Sequence, residues 1–439
     1  MKDKIRIGCG AGFSGDRLEP SLVLAQKGEL DYLVLECLAE RTIALAQKRK
    51  LKDPAGGFDP LLERRINLLL DTIIQNKICL ITNMGAANPV AAAKKVNEIA
   101  SRKNISVKVA AITGDDVLHM LDMKENILET GVPLRSIEKV ISANAYLGAE
   151  GLLEALRLGA NIIITGRVAD PSLFLGPMIH EFGWTLDDYD IMGKGTIIGH
   201  LMECAGQITG GYFADPGKKD VPGMASLGHP FVDVYADGSA NISKVSGTGG
   251  VVNLQTTKEQ LLYEVVNPRA YYTPDVVADF TSVTLEQFDD NVVRISGGTG
   301  KEKPNTYKVS VGYQAFFLGE GEITYAGPNA LSRAQLAGEI LSDRLAKEFS
   351  DLRIDLIGHS SVHGKKISKQ SKPYEIRLRV SARTKSEFEA ARIGEEVEAL
   401  YTNGPAGGGG VRKYVNEVIG IVSTLIDRQK IRSTVTIVE

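Results

Sequence analysis

The run Ile162-Ile163-Ile164, with what flanks it, constrains the fold more than any other feature of the sequence. Three consecutive β-branched residues fit a strand buried on both faces, as in the middle of a parallel sheet. Upstream, Ala149, Leu152, Leu153 and Leu156 recur at i, i+3, i+4 and i+7 and predict a helix with one apolar face. Gly159 stands where a left-handed residue closes such a helix. Downstream, Thr165-Gly166-Arg167-Val168-Ala169-Asp170-Pro171 leaves the strand, with Asp170 placed to cap the next helix and Pro171 suited to its first position. In open α/β sheets ligands bind at the carboxyl ends of strands, so Thr165, Arg167, Asp170 and the preceding Asn144 are candidate substrate-binding residues. Arg167 can hold a carboxylate or phosphate through its planar fork; an internal pair with Asp170 or Asp16 is the competing reading.

The same alternation recurs upstream. Strands are predicted at Ile5–Gly8, Tyr32–Cys37, Ile78–Thr82 and Val107–Ile112, with helices at Pro20–Gln26, Ala39–Lys50, Pro60–Asn76 and Pro89–Arg102. The expected fold is α/β: an N-terminal, mostly parallel sheet with helices on both faces over residues 1–224, followed by a mixed α+β region over 225–439. In the second region Val232–Tyr235, Val292–Ile295, Lys308–Tyr313, Ile323–Tyr325, Tyr374–Ser381 and Arg432–Val438 read as strands, and Ser332–Phe349 and Lys385–Tyr401 as helices. The polar run Lys365–Pro373 reads as an exposed loop or linker.

Each predicted strand ends in a loop that can carry chemistry. Gly10, Gly12 and Ser14 lie in a literal GxGxxG, with Glu36 roughly 20 residues on, as in a dinucleotide fingerprint. Asp16, Arg17 and Pro20 depart from that pattern, and a ligand loop of another kind or a structural turn fits as well. Glu36, at a strand end, suits a general base, whereas Glu40 and Arg41 read as the solvated start of a helix. Asn83 and Gly85 follow the third strand; Gly85 lets the backbone approach a ligand, and Asn83 is an amide needing partners at a buried exit. Asp115 suits an acid–base or Mg²⁺-binding role, with a helix cap as the alternative. His200, Glu203, Cys204 and Gln207 share one helical face, which offers Cys204 as nucleophile or His200 as base, or simply a solvent face. Gly407, Gly408 and Gly409, with Arg412, precede a segment read as a helix and are candidates for a phosphate such as a CoA tail.

The formal charge of −3 supplies no field for nucleic acid. Cys9, Cys37, Cys79 and Cys204 lack metal-ligand spacing, so no metal site is predicted and reduced thiols are expected. The N-terminus has no apolar signal region and no run is long enough for a membrane span, which points to a cytoplasmic protein without membrane partners. A homo-oligomer is expected because symmetric assembly is common.

Three motifs, TGRVADPSLFLGP at 165–177, GCGAGFSGDR at 8–17 and ITNMGAANP at 81–89, resemble the acyclic terpene utilisation (AtuA-type) family in the same order. The resemblance spans nearly the whole chain. It implies bacterial breakdown of geraniol- and citronellol-like skeletons through acyl-CoA intermediates, and it assigns no single reaction. Some relatives carry an extra C-terminal ferredoxin-like domain, and this sequence reads as ending without one. The reading that joins both lines is an enzyme acting on a small carboxylate or branched acyl-CoA by a hydratase- or lyase-type step, with no cofactor beyond CoA as part of the substrate. The alternatives are a non-catalytic acyl-CoA-binding or carboxylase-partner subunit, and a nicotinamide-dependent oxidoreductase.

Overall fold

Short apolar strands run parallel through the middle of a ten-stranded sheet, in the spatial order Lys4–Ala11, Tyr32–Leu35, Cys79–Thr82, Ile162–Thr165, Val109–Thr113. The computed structural model describes residues 2–364, 368 and 373–438. Successive strand residues point to opposite faces. Ile81, Ile163 and Ile112 pack in one apolar layer, and Leu80, Ile162, Ile164 and Ala111 in the other. Helices Glu150–Arg157, Ser172–Phe182 and Tyr189–Glu203 cover the first face; Glu19–Lys27, Leu62–Gln75 and Pro89–Arg102 cover the second. Each fully buried Leu or Ile contributes roughly 1.5–3 kcal/mol, so the two layers hold the sheet between them.

Local signals set the helix limits. Pro89 opens its helix, and Asn88 Oδ1 accepts from Ala91 N. Gly159 (φ 72°) and Gly183 (φ 66°) take the left-handed conformation that ends the preceding helices. The change of texture after residue 210 is a change of strand direction. Pro230–Tyr235 pairs antiparallel with Lys4–Ala11, and Ala240–Lys244, Val292–Ser296 and Thr284–Asp289 follow outward. Thr434–Val438 closes the other edge against Val109–Thr113, again antiparallel.

Two compact units result: Met1–Gly312 with Ile421–Glu439, and Tyr313–Gly420. The expected boundary at residues 224/225 therefore falls inside the larger unit, because the antiparallel strands extend its sheet. In the smaller unit Arg353–Ile357 and Glu375–Thr384 lie beside the portions of Thr306–Ala326 and Gly409–Asp427 that fall within residues 313–420. Helices Ala330–Leu345 and Glu387–Asn403 pack Leu341, Leu345, Ile393 and Val397 against Ile323, Leu378 and Val380. The two runs read as separate strands at 308–313 and 323–325 belong to one strand of 21 residues. Gly409–Asp427 is a strand of 19 residues, not a helix; its Val411, Val415, Val418, Ile419, Ile421 and Val422 are β-branched, and such side chains fit a pleated surface better than a helix. The predicted loop Lys365–Pro373 lies outside the described residues except for Ser368 and Pro373. Among the described residues no helix is long and apolar enough to cross a membrane.

Candidate functional site

Because the five central strands are parallel, the loops that follow them leave the sheet at one end. Buried hydrogen bonds tie these loops together. Asn83 Nδ2 donates to Glu36 Oε1 at 2.7 Å, and its Oδ1 accepts from Cys37 N at 2.7 Å. The amide at the strand exit thus finds its partners inside the protein. Asp115 Oδ2 accepts from Arg167 N at 3.0 Å and from Asn144 Nδ2 at 2.8 Å. A Cβ at Gly85 would lie 2.5 Å from the carbonyl oxygen of Thr165, so only glycine lets the two loops touch.

Arg167 is 1% exposed and each of its three side-chain nitrogens donates to protein. Nε donates to Val168 O at 3.0 Å, Nη1 to Leu38 O and Nη2 to Asp170 Oδ1. Its guanidinium stacks on Tyr146, 4.3 Å from the ring centroid. The structure shows the internal pair rather than a fork open to substrate. Asp170 correspondingly does not cap the following helix, whose first residues have no side-chain cap.

Asp170 keeps 33% of its side chain open, and it opens into a cavity of about 560 Å³. Glu40, Tyr146, Glu264, Tyr271 and Lys308 face the same space, with Leu128, Pro274, Pro304 and Leu425 as apolar wall. Tyr146 OH donates to Glu40 Oε1, and Lys308 Nζ lies 3.6 Å from the same oxygen. Glu40 is therefore part of the cavity and not simply a solvated helix start.

Burial pushes the Asp170 carboxyl up to about 7; Arg167 opposes the rise, and Glu203 and Glu40 add to it. Burial likewise pushes Asp115 up to about 6, against the hydrogen bonds from Arg167 and Asn144. Glu36, 7% exposed, is held well above the usual range by burial and then by Asp170. At Glu40 burial acts upward too, but the Tyr146 hydroxyl and Arg167 outweigh it and leave the carboxyl below its ordinary value.

His200 is buried, with Nδ1 2.9 Å from Glu203 Oε1 and Nε2 3.1 Å from Gln260 O. Tyr271 and Phe280 pack on its ring at 5.3 and 5.4 Å. The four-residue polar face does not form, because the helix stops at Glu203 and Cys204 is its capping residue. Burial pushes the Cys204 thiol far up, the opposite of what a nucleophilic cysteine needs.

The glycine loop departs from a dinucleotide site. Gly12 N donates to Asp16 Oδ2 at 2.8 Å, so a carboxylate sits where a pyrophosphate would bind, and the helix begins only at Glu19. Gly10 is buried in the strand, and a Cβ at Gly12 would meet Cys204 Cα at 2.5 Å. Ser14 Oγ donates to Asp59 Oδ2 at 2.6 Å. Gly407, Gly408, Gly409 and Arg412 belong to the smaller unit. Gly409 and Arg412 lie in the strand Gly409–Asp427, with Gly407 and Gly408 just before it, so no helix-start amides gather there for a phosphate.

Sequence reasoning passed over Arg65, which is 0% exposed. Its Nη2 donates to Ser14 O and Asp16 O at 3.1 and 3.0 Å, while Nε and Nη1 have no partner among the described residues. A signal existed: Arg65 is three residues from Leu62 and four from Leu69, on the apolar stripe of its helix. Glu264, Tyr271 and Lys308 were also missed, since nothing in their local sequence marks a cavity. No group of metal-binding side chains occurs among the described residues.

The family described as acyclic terpene utilisation family protein AtuA matches residues 5–437. The chain belongs to this family. No curated protein matches it. A homoserine dehydrogenase from Thiobacillus denitrificans aligns at 10% identity over 88% of this chain and 82% of that one. The TM-score is 0.16, too low to support an argument about fold or function.

Proposed function

We propose that this AtuA-family chain is an enzyme that moves a proton on the acyl part of a small branched acyl-CoA, in a hydratase- or lyase-type step, with Asp170 as the acid–base group. The observation behind this reading is Asp170 itself. It is a carboxyl partly open to a cavity, pinned by a buried guanidinium and titrating near neutrality. Near pH 7 both its forms are populated, so one group can donate to a leaving oxygen and accept from carbon. Three carboxyl groups, Glu40, Asp170 and Glu264, face the cavity against the single ammonium of Lys308. That balance repels a free carboxylate and favours an uncharged thioester carbonyl. Leu128, Pro274, Pro304 and Leu425 give a branched chain apolar contact, in keeping with the acyclic terpene skeletons of the family description. Glu36, Asp115 and His200 are buried and hydrogen-bonded to protein, and serve in this reading as supports.

Thermal-shift measurements with branched acyl-CoA esters, the matching free acids and nicotinamide nucleotides test the ligand class; the esters are expected to raise Tm most. Deuterium uptake from D2O into the bound ester, followed by NMR, then reports proton transfer. Asp170→Asn is expected to keep the ligand-induced shift and to slow uptake at least ~100-fold. Uptake that survives the substitution overturns the role of Asp170. A wild-type chain that binds the ester and never exchanges a proton overturns the enzyme reading and leaves a binding subunit.

A further inference from the structure

A second cavity, of about 440 Å³, opens where the Lys4–Ala11 strand ends, and it shares no lining residue with the cavity at Asp170. His229 lines it and is only 5% exposed. Its Nδ1 lies 3.1 Å from Gly10 O. A carbonyl only accepts, so Nδ1 carries the hydrogen and the neutral ring leaves a lone pair on Nε2. Burial lowers the imidazole below its ordinary value and keeps it neutral. Nε2 makes no hydrogen bond to the described residues. A Cβ at Gly206 would come within 3.4 Å of it, so the glycine leaves space in front of that lone pair.

Asp16 supplies a second acceptor. Its Oδ2 is taken by the Gly12 amide, while Oδ1 accepts no hydrogen bond from the described residues. Phe13 and Tyr212 line the same cavity at 60% and 90% exposure. Tyr212 has φ 58°, a conformation uncommon for a bulky residue. Arg17 also lines the cavity; it uses only Nη1 on protein acceptors, Ala225 O at 2.8 Å and Met224 O at 3.2 Å.

Two open acceptors select a ligand with two donors, exposed rings select a flat π face, and the free edge of Arg17 selects an anion. A nucleotide presents all three. We propose that this cavity binds a nucleotide with a free ribose diol: base against Phe13 and Tyr212, hydroxyls donating to His229 Nε2 and Asp16 Oδ1, phosphate towards Arg17. The pose differs from a dinucleotide fingerprint, in which the phosphate would sit on loop amides; here Asp16 holds that amide. The inference does not depend on the role given to Asp170.

Saturation-transfer NMR and calorimetry on the full chain with AMP, 2′-deoxy-AMP, ribose 5-phosphate and CoA test it. AMP is expected to bind at millimolar concentration or tighter, 2′-deoxy-AMP more weakly, and ribose 5-phosphate, which lacks a base, not at all. CoA carries a phosphate on the diol and, whatever it does at the Asp170 cavity, is expected to compete with AMP for this cavity more weakly than AMP itself. Tyr212→Ala, on an exposed ring, should weaken AMP about tenfold by lost stacking, and His229→Gln should weaken it as well. No AMP binding at millimolar concentration, or binding indifferent to Tyr212→Ala, overturns the site. CoA that displaces AMP from this cavity more readily than AMP itself does, read by competition, overturns the diol assignment. If His229→Gln does not fold, the Tyr212 result decides alone.

Discussion

In the larger unit Arg65, Arg167, Glu36, Asp115 and Asp275 are all between 0% and 7% exposed, whereas in the smaller unit the ion pairs Arg344–Glu396, Arg392–Glu348 and Lys413–Glu398 are partly open to solvent beside an apolar core. Among the described residues Asp355 is the exception there, buried but held by Arg353 and Arg379. Both units meet the same solvent, so the difference lies in what the interior is asked to hold. Dehydrated charges are costly and perturb one another's protonation, which is what proton-transfer chemistry requires and what a purely structural core avoids. The larger unit should therefore respond to pH and to loss of a charge, and the smaller one to loss of apolar volume.

The strongest test of that contrast is Arg167→Met. It strands the Leu38 carbonyl and leaves Asp170 and Glu36 without their cation. A loss of about 3–5 kcal/mol is expected in urea unfolding of the larger unit. The loss should shrink at pH 5, where the two carboxyls take up protons. A stability unchanged by the substitution would break the comparison at its centre.

Leu341→Ala probes the other side. Leu341 is 0% exposed in the smaller core, and its truncation should cost about 3 kcal/mol there, equally at pH 5 and pH 8. Hydrogen exchange, read unit by unit, shows whether the cost stays in residues 313–420.

Asp115→Asn should act only through pH. The folded pKa of about 6 is above the ordinary ~3.9, so the contribution of Asp115 is present below about pH 4 and lost as pH rises through about 6. An amide can still accept from Asn144 and Arg167 N and has nothing to titrate. The variant should flatten the stability profile between pH 4 and 7 and gain on the order of 1–2 kcal/mol over wild type at pH 8. An unchanged profile would mean that other carboxyls set it.

The smallest effect is expected from Arg392→Ala, which removes a solvent-exposed pair on the smaller unit. A change below about 1 kcal/mol is expected, diminishing further in salt.

These contrasts were only partly legible beforehand. Ile162–Ile164 and its flanks gave the parallel strand, the αL glycine and the loop, because local periodicity and turn chemistry act over a few residues. The strand ends carrying Glu36, Asn83, Asp115 and Arg167 followed from the same pattern. The direction of the Arg167 fork did not, since it depends on Leu38 O and Tyr146, brought near only by the fold. His200 and Cys204 looked like one face because helical spacing was extended past Glu203, where the helix ends. Glu264, Tyr271 and Lys308 come from segments distant in sequence, and no local rule joins them. Arg65 was the readable omission, a cation on an apolar stripe. Gly409–Asp427 was misread because the glycine run suggested a helix start, while cross-strand pairing with the neighbouring strand decided otherwise.

The last strand of the large sheet, Thr434–Val438, lies against Val109–Thr113, with Val438 opposite Val109, and between them the chain departs at Gly312 to make the smaller unit before returning at Ile421. On the ribosome this order has a cost in time. The parallel strands emerge early, yet the backbone of Val109–Thr113 has no outer neighbour until more than 300 further residues have been translated. Throughout that interval a nascent chain presents an unpaired, apolar strand margin, the kind of surface that recruits other chains. A ribosome stalled between residues 313 and 433 would hold the chain with this margin of Val109–Thr113 still unpaired, a surface open to pairing with other chains.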